Sequence, residues 1–162
     1  METSNDAERE LVRHTLATLA YRAGKVMKDV PPHFPGLRIA EGVRSPAEIL
    51  AHMGDLMDWS LSLAKGSHLW RENPPQSWDD DVARFFESLR VLDQFLVSGV
   101  TPGALPGKLF QGPIADALTH VGQLAVMRRV AGAPVRGENY FRADIVPGRV
   151  GADQSARRVE FG

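Results

Sequence analysis

Asp116 and His120 stand four residues apart in the stretch Asp116-Ala117-Leu118-Thr119-His120-Val121-Gly122-Gln123. On a helix that spacing stacks a carboxylate and an imidazole on one face. Helical metal sites use this spacing, and one further imidazole would complete a three-ligand set with open positions. His52 is the candidate for it, in Ser45-Pro46-Ala47-Glu48-Ile49-Leu50-Ala51-His52. Two imidazoles and one carboxylate suit Zn²⁺, Fe²⁺, Ni²⁺ or Mn²⁺. A plainer reading also fits each residue. Asp116 can be a first-turn acid that complements the helix dipole. His52 can be a hydrogen-bonded core residue.

The elements that must position these groups are four amphipathic helices. The first is expected over about residues 6–29, ended by Pro31-Pro32. The second opens at Ser45-Pro46-Ala47-Glu48, a capping box with proline at the first helical position. It runs to about Ala64, with Gly66 placed as a C-terminal glycine. The third opens at Ser77-Trp78-Asp79-Asp80 and ends near Gly99. The fourth opens with Gly112-Pro113 and is closed by Gly132 and Pro134. No convincing alternating strands accompany them. The fold class expected is all-α, a four-helix bundle over residues 1–134, with an extended tail over 135–162 packed on it as part of one domain. Tyr140 and Phe141 give that tail more aromatic content than a disordered segment carries.

Composition narrows the chemistry. At 162 residues the chain can bury a substantial core. Its formal net charge of -1 offers no electrostatic case for nucleic acid. It has no cysteine, so a metal must be held by His, Asp or Glu. No apolar run approaches the ~20 residues of a membrane span, and the polar, acidic N-terminus is unlike a signal peptide. A cytoplasmic protein is expected, with no membrane partner. Arginine greatly outnumbers lysine, which suggests a G+C-rich bacterial genome.

The second-helix segment Ser45 to His52 resembles the corresponding motif of the DinB/YfiT-like superfamily. The segment Asp116 to Leu124, followed by Met127-Arg128-Arg129 and Gly132-Ala133-Pro134, is similar to that family's last-helix motif. The family motif is a His-x-x-x-His pair followed by Gly-Gln. His120, Gly122 and Gln123 match it, while Asp116 stands where the first histidine is usual. The resemblance covers about residues 6 to 134. It implies an up-down-down-up bundle, often a homodimer, with a divalent metal on His52, Asp116 and His120. It also implies a small-molecule substrate and one of two activities, transfer of a low-molecular-weight thiol or metal-assisted hydrolysis. A carboxylate at position 116 lowers the charge of the site and alters its metal preference. The other outcomes open at this point are a non-enzymatic small-molecule or metal-binding bundle, and a bundle without a bound metal. The implied topology makes helices 2 and 3 parallel, so their connection must cross a bundle ~30 Å long. The segment from Gly66 to Gln76 reaches about 36 Å when fully extended.

Around the candidate ligands, Glu48 and Asp55 lie one turn either side of His52. Each is either an acceptor for the imidazole N–H or a general base, or else a capping acid and a solvated acid respectively. Gln123 can orient a ligand or make a structural hydrogen bond. His14, His33, His68 and the three tryptophans are expected to serve packing, turns or surface. Arg128 and Arg129 fit the negative end of a helix dipole.

Overall fold

The computed structural model describes residues 4–162. Four long helices form the bundle: α1 (Ser4–Met27), α2 (Pro46–Ala64), α3 (Trp78–Val97) and α5 (Ala115–Val130), with a single-turn α4 (Pro106–Leu109) leading into α5. The expected all-α four-helix architecture is the one observed. Tyr21, Leu50, Met53, Phe85, Leu89 and Leu124 are fully buried at its centre. Among the described residues, no helix is long and apolar enough to cross a membrane.

Side-chain pairings fix the helix directions. Arg84 reaches Asp55 and Asp58, and Ser88 reaches Asp58, so α2 and α3 ascend together. Arg13 pairs with Asp93 while the Trp78 indole donates to the Met27 carbonyl, so α1 and α3 run oppositely. Arg128 near the end of α5 donates to carbonyls of Val26 and Lys28 at the end of α1, so those two helices are parallel. The topology is up-down-down-up.

The parallel pair α2–α3 requires the crossover that the sequence length only just allows. The chain makes it in extended form without fraying either helix, running back along α2 so that Asn73 reaches Asp55 and Trp70 lies against Trp59. Two glycines make room for the loops at its start. Gly66, at φ 82°, turns the chain out of α2, and Gly103 passes so close to the Gly66 backbone that a Cβ at 103 would overlap it.

Local chemistry places the helix starts. The Ser45 hydroxyl accepts from the Glu48 N–H, and the Glu48 carboxylate accepts from the Ser45 N–H, completing the capping box. Ser45→Ala is expected to cost about 1 kcal/mol in denaturant unfolding, because it strands a helix N–H that the hydroxyl satisfies.

The entry to α5 adds a turn to the expectation. A helical turn already runs from Pro106, but the chain kinks at Gly112, whose φ -92° and ψ -105° are not helical. Gly112-Pro113 therefore marks the break at which the long helix opens, since Pro113 has no N–H for the ladder of the preceding turn.

The tail packs on α1. Two short antiparallel strands, β1 (Gly137–Glu138) and β2 (Glu160–Phe161), place Glu138 opposite Glu160. The buried Glu138 carboxylate accepts from the Tyr21 hydroxyl and from Lys25, which also pairs with Glu160. Burial alone would raise the Glu138 pKa, but the Lys25 and Tyr21 bonds outweigh it and hold the carboxylate below its usual range. Arg157 lies over the Tyr21 ring, and Tyr140 packs edge-on against the same ring. Within Tyr140-Phe141-Arg142, Tyr140 therefore closes on the bundle, while Phe141 stands almost wholly in solvent.

Candidate metal centre

His52 lies in the second turn of α2, between the buried Ile49 and Leu56, and leans toward α5. Asp116 and His120 lie in the first turns of α5, one above the other. Because α2 and α5 are neighbours running in opposite directions, the three groups meet. Asp116 spans the two imidazoles: its Oδ1 is 3.4 Å from His120 Nε2 and its Oδ2 is 3.7 Å from His52 Nε2. One ligand atom from each residue lies within 4.8 Å of the other two, so the trio could hold a metal ion.

Ligand atoms about 2.0–2.1 Å from a tetrahedral ion sit ~3.3 Å apart, and the two gaps, each to a different oxygen of Asp116, are of that order. The same gaps place the carboxylate within ion-pairing distance of either imidazole.

Neighbouring groups orient the imidazoles. Gln123 Oε1 is 2.7 Å from His120 Nδ1. With the amide oxygen toward the ring, Nδ1 donates and Nε2 keeps its lone pair toward Asp116. His52 packs edge-on against Trp70 at 5.6 Å and against His120 at 4.9 Å, ring centre to ring centre. Burial lowers the His52 pKa most, followed by the Arg44 charge and the His120 ring, while Asp116 acts in the opposite sense. The net effect favours the neutral imidazole, the form that binds metal. The side chains of His52 and His120 are 15% and 10% exposed against 48% for Asp116, so the carboxylate marks the solvent side of the centre.

That lowered pKa has a consequence for the metal-free protein. The unfolded chain takes up a proton on His52 near pH 6.5, before the folded chain does. Stability from this residue is therefore full above pH 6.5 and declines as pH falls below it. Thermal unfolding between pH 7.5 and 5.5 is expected to show a larger loss for the native chain than for His52→Gln. Equal losses would contradict the assignment.

The other candidate residues take different positions. Asp55 is buried, and its oxygens accept from Arg84 at 2.6 Å and from the Asn73 backbone and side-chain amides at 3.1 and 2.7 Å. It ties the crossover and α3 to α2, and is not the solvated acid that its plainer reading gives. Glu48 serves the capping box and accepts two bonds from Arg38, which lower its pKa to about 2. Both acids nevertheless line a polar cleft of about 360 Å³ that includes His52, Arg44 and Asn73. On the other side of the centre, His120 and Gln123 border a second, apolar cleft of about 540 Å³. Arg44 belongs to both.

His33 contacts the Ala131 carbonyl, and the His68 ring lies beside Trp59, away from the trio. Arg128 is buried and donates to carbonyls at the ends of both α1 and α5, a more specific form of the role its position suggests. Two residues near the centre carry no sequence signal of their own: Trp70, which the extended crossover lays on His52, and Arg44, which precedes the cap of α2. Both lie in irregular segments, where periodicity says nothing about facing.

Fold and site together define a four-helix bundle with a three-residue candidate metal centre at the α2–α5 seam. The chain matches no family model, no curated protein and no solved structure.

Proposed function

We propose that the protein is a divalent-metal-dependent enzyme of the DinB/YfiT-like type, which activates a thiol or water for attack on a small electrophile. The observation that carries this is the convergence of His52, Asp116 and His120 at donor spacing. The donor set fits a borderline cation such as Zn²⁺, Ni²⁺, Fe²⁺ or Mn²⁺. The order of the two helix motifs, the up-down-down-up topology and Gln123 on His120 support the family reading.

A metal held by these three residues would supply Lewis acidity, lowering the pKa of a thiol or water so that it is a nucleophile near neutral pH. The chain's own residues do the rest. His52 and His120 present ring nitrogens from two helices packed in the core. Gln123 holds the His120 ring so that Nε2 faces the centre. Asp116, at the solvent side, offers a carboxylate that neutralises part of the cation's charge. Three protein ligands leave room for the reacting group, as catalytic centres do.

The test is turnover by metal-loaded protein offered several low-molecular-weight thiols and simple electrophiles, with hydrolysable esters and amides in parallel. Thiol consumption or hydrolysis that disappears in His120→Ala supports the proposal. A protein that takes up metal stoichiometrically yet shows no His120-dependent turnover with either set is a binding protein, and the enzymatic reading fails.

A further inference from the structure

The apolar cleft beside His120 has a one-sided chemistry. Ile39, Val43, Ile49, Val126 and Met127 give it apolar walls, and among the described residues Arg44 is the one permanently charged side chain that lines it. Arg38, the neighbouring arginine in the polar cleft, is already neutralised by two bonds to Glu48. Arg44 is different. Among the described residues no carboxylate forms an ion pair with it, and its guanidinium is exposed while its charge is still felt at His52. Ile39 and Val126 stand 43% and 56% exposed, far more than isolated core aliphatics need, and both face the same cleft. A volume of about 540 Å³ lies within the range of small-molecule sites.

We propose that this cleft binds an amphipathic carboxylate, with its apolar body along Ile39, Ile49, Val126 and Met127 and its anionic head on Arg44. This deepens the enzymatic reading by naming a substrate class. It rests on that reading only for the chemistry, not for the binding. Charge complementarity selects the head group, because an anion pairs with the unpaired Arg44 while a cation is repelled by it. Apolar burial selects the body, at about 25 cal/mol for each Å² removed from water. The ligand then lies along the side of α5 that carries Gly122, Gln123 and Val126, with His120 at its edge.

Gly122 gives a clean way to close the cleft. It lines the cleft on an exposed turn of α5, and a Cβ built there meets nothing within 4 Å. Gly122→Leu therefore puts a side chain into the cleft without disturbing the core, and it raises helix propensity as well. Arg44→Gln removes the charge and keeps most of the side-chain bulk.

The experiment is calorimetric titration of the metal-free protein at pH 7.5 with sodium octanoate, with octan-1-ol as the neutral comparator and acetate as the head group alone. Octanoate is expected to bind roughly tenfold more tightly than octan-1-ol, and acetate not measurably. Arg44→Gln is expected to weaken octanoate by roughly tenfold, the scale of one charged hydrogen-bonding pair, and to leave octan-1-ol unchanged. Gly122→Leu is expected to abolish both. The proposal is overturned if octanoate fails to bind, or if it binds equally to all three proteins. It is also overturned if sedimentation shows that the cleft is covered by a second copy of this chain, with self-association lost in Gly122→Leu. Zn²⁺ uptake by the same variants, which keep His52, Asp116 and His120, reads the metal centre separately. Octanoate binding without Zn²⁺ uptake removes the enzymatic reading and leaves this one, and Zn²⁺ uptake without octanoate binding does the reverse.

Discussion

Purified without a polyhistidine tag and dialysed against Zn²⁺, the protein is expected to retain one ion per chain, and His52→Ala and His120→Ala are each expected to lose it. The reason is geometric. Each imidazole supplies one of three donors, and two remaining ligands are too few to hold a metal against water and buffer. The variants separate ligands from the residue that orients them. Gln123→Ala leaves all three donors in place and frees only the His120 ring, so it is expected to weaken metal binding by 10–100-fold without abolishing it. Asp116→Asn keeps the shape but removes the negative charge, and Asp116→His installs a third imidazole. A carboxylate that is a true ligand predicts strong weakening in the first and retention in the second. Binding should also fall with decreasing pH, as protons compete for the imidazoles. Elemental analysis of the native chain that finds no stoichiometric metal, unchanged in His52→Ala, would refute the centre.

The second large effect lies at the tail. Glu138→Ala is expected to lower stability by about 2–4 kcal/mol, because it strands the Tyr21 hydroxyl and leaves the Lys25 ammonium only its longer pairing with Glu160. The Glu138 side chain is 0% exposed and that of Lys25 8%, so water does not readily replace the lost partner. For a chain of this size the loss corresponds to a melting point roughly 4–16 °C lower. Glu160→Ala is the internal control. Glu160 pairs with the same Lys25 from the opposite strand but is 23% exposed, so its removal is expected to cost under about 1 kcal/mol. The sign with pH follows from the lowered Glu138 pKa. Its contribution is present above the usual carboxylate range and is lost as pH falls through it. Equal melting points for Glu138→Ala and Glu160→Ala would mean that the tail contributes little to the fold.

The helices were legible because their signals are local. Ser45 and Ser77 each cap a helix in the position their spacing gives, and Pro31-Pro32 and Gly66 stop the chain where expected. Gly112-Pro113 was legible as the break ahead of α5, because Gly112 leaves helical geometry just before a residue that has no N–H for the ladder. The helical turn over Pro106–Leu109 that precedes it is too short to show a periodicity. Asp55 was legible only in part, because its partners are remote. One turn from His52 on the same helix, it shares a face with the site, yet its charge belongs to Arg84 on α3 and to Asn73 in the crossover, partners remote in sequence. The tail showed its aromatics but not its anchor. A lone Glu138 among glycines and arginines carries no sign that Tyr21 and Lys25, more than a hundred residues earlier, await it.

The sequence by itself determined the helices, their caps, the adjacency of Asp116 and His120 on one face, and the inward lean of His52, because each follows from spacing along a single chain segment. Only the tertiary structure decided that α2 and α5 are neighbours running in opposite directions. That arrangement brings His52 Nε2 to 3.7 Å from Asp116 and joins two residues on one helix to a third in a group that could hold a metal ion. It also brings Trp70 onto His52 and sets Arg44 at the junction of a polar and an apolar cleft. The physical reason is that periodicity records which face of a helix is buried. Which helix covers that face is set by how the whole core closes, through contacts such as Arg84–Asp58 and Arg128–Lys28 that join elements far apart in the chain.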